Sequence, residues 1–183
     1  IQAEIRRLIK EGKLKKEKPL PEITEEEIPF DIPDSWKWVR LNEICKLISD
    51  GTHKTPRYVE RGIPFLSVKD ISGGFIDFSK TKFITLEEHR QLTKRCKPER
   101  NDVLVCRIGT LGKAKKVDTD NEFSIFVSLG LVKPVIGELA DYIELTINSG
   151  YGFSWIQRVK VGGGTHTYKI NLNDLRLILI PLP

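Results

Sequence analysis

Three short stretches hold most of the side chains able to do specific chemistry. They are Gly51-Thr52-His53-Lys54-Thr55-Pro56-Arg57-Tyr58, Arg107-Ile108-Gly109-Thr110-Leu111-Gly112-Lys113 and Gly162-Gly163-Gly164-Thr165-His166-Thr167-Tyr168-Lys169. Each sets Thr, His, Lys or Arg on glycine-bearing backbone. Catalytic readings find little support in them. His53, His89 and His166 fall in no HExxH or other metal-ligand spacing, and no serine sits in a GxSxG elbow. Asp50 and Asp70 with Lys69 could be pictured as nuclease carboxylates holding Mg²⁺, but the usual spacing of such clusters is missing. Gly109–Lys113 lacks GxxxxGK[ST], and Gly162–Gly164 lacks GxGxxG after a strand, so neither a P-loop nor a Rossmann site is indicated. No catalytic residue, cofactor or metal is expected.

Recognition of a polyanion fits the same residues better. Base edges are read by Arg, Lys, Asn, Gln, His, Ser or Thr on backbone that can come close to a groove. Phosphates are met by backbone N–H groups, hydroxyls and basic side chains. The expected DNA-facing set is Thr52, His53, Lys54, Thr55, Arg57 and Tyr58, with Arg107, Thr110 and Lys113, and Thr165, His166 and Lys169. Any one stretch could equally be a hairpin turn; three within one basic domain carry more weight. The total charge of +5 is unevenly placed. Residues 1–18 hold seven bases against three acids and residues 19–34 hold six acids and no base, which leaves +7 for 35–183. A module docking an acidic protein is the rival from another class.

The elements that must position these stretches follow from hydrophobic periodicity. Ile1, Ile5, Leu8 and Ile9 predict the end of an amphipathic helix stopped at Gly12, its apolar stripe covered by a partner helix. Residues 13–31, with Pro19, Pro21 and Pro29, predict an extended arm. The compact domain is expected over 32–183. Trp36, Trp38 and Val39 predict a strand, with the tryptophans as packing anchors, and Leu41, Ile44, Leu47 and Ile48 a short helix. Strands are expected over 63–68, 75–78, 82–84, 103–106, 113–117, 123–133 and 177–180. Thr85 and Glu88 form a capping box for a helix that leaves His89 exposed or half-buried. Further helices are expected near 139–147 and 153–159, with a short turn or helix at 172–175. Strands and helices mix without regular alternation, which predicts an α+β domain with a curved, mostly antiparallel sheet and flanking helices.

At 183 residues, 39% hydrophobic and 30% charged, the chain can bury one substantial core. Cys45, Cys96 and Cys106 are odd in number and far apart, so neither a disulfide framework nor a zinc ribbon is indicated, and Cys45 and Cys106 read as buried thiols. No apolar run of membrane-spanning length and no signal peptide is visible, which makes the cytoplasm the expected location. The sequence has no methionine and starts at Ile1, so a piece of a longer protein is expected.

The ordered set of motifs resembles a known family. Ile32-Pro33-Asp34-Ser35-Trp36, Leu41-Asn42-Glu43-Ile44, Asp50–Pro56, Gly62-Ile63-Pro64-Phe65-Leu66 and Asp70-Ile71 come first. Asn101–Val105, Gly109–Gly112, Gly163-Gly164-Thr165 and the closing Leu172–Pro183 follow in order. Together, over residues 28–183, they resemble a target recognition domain of the specificity subunit of type I restriction-modification enzymes. Asn101 stands where the family usually has glycine. The resemblance implies double-stranded DNA as ligand, one half of a split target as the site, and catalysis by partner modification (methyltransferase) and restriction subunits. It also implies that residues 1–12 end a spacer helix, and that the domain pairs with a second recognition domain or a second copy. A fragment of a fused restriction-modification enzyme is the remaining alternative.

Overall fold

The computed structural model describes residues 1–14 and 20–183, apart from the His166 side chain. Lys15–Pro19, in the expected arm, lie outside the described residues.

The centre of the domain is strand β5 (Val103–Cys106), buried on both faces. Its period-two alternation divides the interior. Val103 and Val105 point into one cluster, with Ile48, Val132, Ile143, Trp155, Leu175 and Ile180, while Leu104 and Cys106 point into a second, with Leu66, Phe123, Ile125, Leu129 and Leu131. β5 pairs antiparallel with β8 (Leu129–Pro134) and with β6 (Ala114–Lys116), and β8 pairs with β2 (Cys45–Asp50), giving the order β2-β8-β5-β6. A three-stranded sheet, β4 (Lys82–Ile84), β3 (Ile63–Leu66) and β7 (Ser124–Ile125), contains a parallel pair, β3 with β7. β1 (Lys37–Arg40) pairs with β11 (Leu179–Leu182), and β9 (Val161–Gly163) with β10 (His166–Lys169). The domain is therefore α+β and mostly antiparallel, with its strands spread over four sheets.

Helices α3 (Leu139–Asn148), α4 (Gly150–Val159) and α5 (Leu172–Leu177) bury Ile143, Ile147, Trp155, Ile156 and Leu175 in the first cluster. Their apolar residues recur at three- and four-residue spacing, the signature of a one-faced helix. Helix α2 (Leu86–Thr93) starts as its sequence dictates, Thr85 accepting a hydrogen bond from the Glu88 N–H at 3.2 Å. Trp38 makes an aromatic cluster with Phe30 and Tyr151, ring centroids 5.0 and 5.9 Å away. The three cysteines are free and buried, and burial pushes the thiols of Cys96 and Cys106 up to about 11 and about 12.

Several expectations are corrected. Leu41–Ile44 is a single 3₁₀ turn, and Leu47 and Ile48 belong to β2, because pairing with β8 overrides a spacing that suits either period in so short a run. Residues 75–78 form no strand: Asp77 N–H bonds back to Asp70 at 2.8 Å, Phe75 is exposed, and Ile76 and Phe78 pack on the second cluster. The expected strand 123–133 is two strands in different sheets, β7 and β8, separated by a turn closed by Leu129 N–H to Phe126 O at 2.9 Å. His89 is only 3% exposed, its Nδ1 sitting 2.9 Å from Ser124 Oγ. In helix α1 (Gln2–Lys10), Leu8 is buried, and the preceding Ile1 packs on the first cluster.

Arg40 fixes the described part of the acidic stretch. Nearly fully buried, it donates to both carboxylate oxygens of Glu27 at 3.0 Å, to Pro21 O at 2.9 Å and to Glu22 O at 3.2 Å.

Candidate nucleic-acid interface

The first stretch leaves β2 at Asp50 and returns as β3 at Ile63. Both of its ends are pinned. Thr52 N–H bonds to Ile125 O at 3.1 Å and Val127 N–H to Thr52 O at 3.0 Å, while Val59 N–H bonds to Phe83 O at 2.9 Å. Gly51 is required where the chain crosses β7, since a Cβ there would lie 2.1 Å from Ile125 O. Between the pins His53, Lys54, Thr55, Arg57 and Tyr58 are exposed, and Thr52 is half-buried. The Thr52 hydroxyl accepts from Lys54 N–H at 3.2 Å and closes a local turn. The Tyr58 ring packs against Phe65 and carries the Lys82 ammonium 5.3 Å from its centroid.

The second stretch is the β5–β6 turn, closed by Cys106 N–H to Lys113 O and Gly112 N–H to Cys106 O, both at 2.8 Å. Gly112 has φ +78°, and a Cβ on it would meet Ile156 Cδ1 at 2.2 Å, so the tight return to β6 needs glycine. Thr110 and Lys113 face solvent. The third stretch is the β9–β10 hairpin, exposed at Thr165 and Lys169, with the Lys160 ammonium 4.5 Å from the Tyr168 ring centroid. The His166 contact falls on a side chain outside the described residues.

The three stretches converge at their bases. Gly109 N–H bonds to Tyr168 O at 3.2 Å and Ile170 N–H to Arg107 O at 2.8 Å, which zips the third stretch to the second. Arg107 completes the junction. Expected among the outward contacts, it is instead 8% exposed, and its guanidinium donates to Asp50 Oδ2 at 2.5 Å, Val127 O at 3.2 Å and Ile170 O at 3.1 Å. Burial holds its pKa below the ordinary arginine value, with the Asp50 carboxylate pulling the other way. Asp50, 3% exposed, also meets His53 Nε2 at 3.0 Å and Arg95 Nη1 at 3.2 Å.

Arg95 escaped the sequence reading. It follows α2 and donates to Asp50 O and Gly51 O, both at 2.8 Å, and to Ser49 Oγ at 3.1 Å. Its partners lie some 45 residues away in the chain, and no local pattern links them. Asp50 was visible at the end of an apolar run, but only as a candidate metal ligand. Asp70 belongs to a separate set, accepting from Ser67 N–H at 2.7 Å and Ser67 Oγ at 2.9 Å.

No protein-family model matches the chain. Individual proteins do. The specificity subunit of the type I restriction enzyme EcoEI from Escherichia coli is 27% identical over 189 residues, covering 96% of this chain and 31% of that subunit. The chain is similar to a target recognition domain of a type I specificity subunit. The EcoAI specificity subunit of the same organism is 40% identical over 67 residues, 37% of this chain and 11% of that one. The EcoBI specificity subunit is 26% identical over 156 residues, 83% and 32% of the two chains. The chain thus spans about a third of the length of the EcoEI and EcoBI specificity subunits. The fold agrees. The specificity subunit of a type I restriction-modification system from M. genitalium superposes with a TM-score of 0.52 at 14% identity, over 84% of this chain and 36% of that one. The HsdS subunit from Thermoanaerobacter tengcongensis gives 0.51 at 19%, over 85% and 35%. Asn101 has φ +67°, a conformation that asparagine tolerates better than most other side chains do.

Among the described residues no helix is long and apolar enough to cross a membrane.

Proposed function

We propose that residues 32–183 bind duplex DNA sequence-specifically and read one half of a split target for a type I restriction-modification complex. In this reading the domain is not an enzyme. Modification and restriction subunits supply methylation and cleavage, residues 1–12 end a spacer helix, and residues 13–31 are the arm between helix and domain. The single observation that supports the reading best is the junction at Arg107 and Asp50. One buried ion pair joins the bases of three exposed, basic, hydroxyl-bearing segments that are far apart in sequence. A surface that reads bases has to hold its donors in fixed positions, and such a junction holds them. The +7 charge of 35–183 supports a polyanionic ligand and drives the salt-dependent part of binding.

The test is duplex binding by the complete protein assembled with its modification subunits. Lys54→Ala makes the salt dependence shallower by about one unit of log–log slope while keeping sequence preference, as expected for a phosphate contact. His53→Ala relaxes preference at one base position, where a good contact discriminates by about 1–3 kcal/mol. Binding that ignores substitutions in all three segments contradicts the reading.

A further inference from the structure

Beside the first segment lies a cleft of about 490 Å³ whose far wall holds residues outside the expected contacts. One wall is Gly51, Thr52, His53 and Lys54; the other is Gln91, Leu92, Arg95 and Cys96, from α2 and the turn after it, with Ile125 completing the lining. Its polar lining is rich in donors and poor in acceptors. No carboxylate is among its lining residues, and Asp50, next to Gly51 in the chain, has Oδ1 engaged by Arg95 and Oδ2 by Arg107 and His53. The four bonds that Arg95 makes to the first segment and Ser49 all come from its two Nη groups. Its Nε–H carries no bond among the described residues, and its side chain is 55% exposed. Gln91 uses its carbonyl oxygen to accept from Lys94 Nζ at 2.7 Å, which leaves its two amide hydrogens for a ligand. Lys54 adds an exposed ammonium.

A cleft lined by guanidinium, amide and ammonium donors, with the neighbouring carboxylate already neutralised, suits a ligand made of anionic acceptors. We propose that it seats a phosphodiester of the DNA backbone, with Gln91 and Arg95 as contacts additional to the three segments. This rests on the DNA-reading function above. Arg95 thereby has two duties, fixing the backbone of Asp50 and Gly51 and meeting the phosphate beside them. Because a phosphate carries no sequence information, the contact sets register and affinity and leaves base preference alone.

Gln91 separates these duties, since it is exposed and its side chain bonds to Lys94 on its own helix end, not to the backbone of the first segment that Arg95 fixes. The probe is a set of duplexes with and without the preferred sequence, titrated over a range of salt with the complete complex carrying Gln91→Glu or Gln91→Lys. Gln91→Glu is expected to weaken binding to all duplexes alike and make the salt slope shallower by about one unit; Gln91→Lys is expected to tighten all alike and steepen it by about one. Melting temperature and base preference stay at the unsubstituted values. Wild-type affinity and slope in both variants overturn the proposal, and so does a changed base preference in either. An unsubstituted complex that binds every duplex equally overturns the DNA-reading function itself, a result distinct from failure of the Gln91 variants alone.

Discussion

At the scale of single residues, the decisive group is Asp50. A carboxylate 3% exposed is costly to bury unless it is neutralised and hydrogen-bonded, and here Arg107, Arg95 and His53 all converge on it. Arg107 is equally dependent on Asp50, since burial disfavours its charged form. Removing one partner strands the others. Asp50→Asn is therefore expected to lower unfolding stability by about 3–5 kcal/mol, and Arg107→Met by about 3 kcal/mol because Arg95 still faces Asp50. Urea denaturation of the two variants measures both losses; changes below 1 kcal/mol would show that the junction does not hold the segments. The sequence displayed the exposed donors clearly, since glycine, threonine and lysine declare a polar turn. It did not show that Arg107 turns inward, because burial of an arginine is decided by an aspartate 57 positions away.

Among the elements, α2 carries the clearest pH dependence. It docks on β7 through His89, buried against Ser124. Desolvation lowers the His89 pKa below its ordinary 6.5, with the nearby Glu122 opposing the shift. The neutral ring is thus favoured in the folded state. Its stabilisation is fully present above about pH 6.5 and is lost as pH falls from there through the lowered folded-state value. Unfolding free energy measured from pH 7.5 to 5 should decline for the wild type and decline less for His89→Gln; equal slopes would refute the assignment. Elements with a strong local signal are legible in the sequence. β5 as an unbroken apolar run, α2 by its capping box, and α3 and α4 by helical spacing were all visible beforehand. Leu41–Ile48 differs from expectation because a short apolar run fits more than one period, and 123–133 because the turn after Phe126 sends its two halves to different sheets. Only tertiary pairing, β2 with β8 and β7 with β3, decides both cases.

On the scale of the whole molecule, charge and connectivity point the same way. The acidic stretch before the domain is clasped by buried Arg40 through Glu27, and the basic remainder carries the three converging segments. The likeness to type I specificity subunits extends through almost the whole chain at 27% identity, and that relative is about three times as long. The proposed function makes this chain one reading unit within a larger recognition apparatus. The most direct measurement is a genome-wide map of methylated sites made by the complete complex, before and after residues 32–183 are exchanged for the corresponding domain of a complex with a different target. One half of the split motif is expected to change while the other half stays as it was. An unchanged motif from an assembled, active complex would contradict the proposed function.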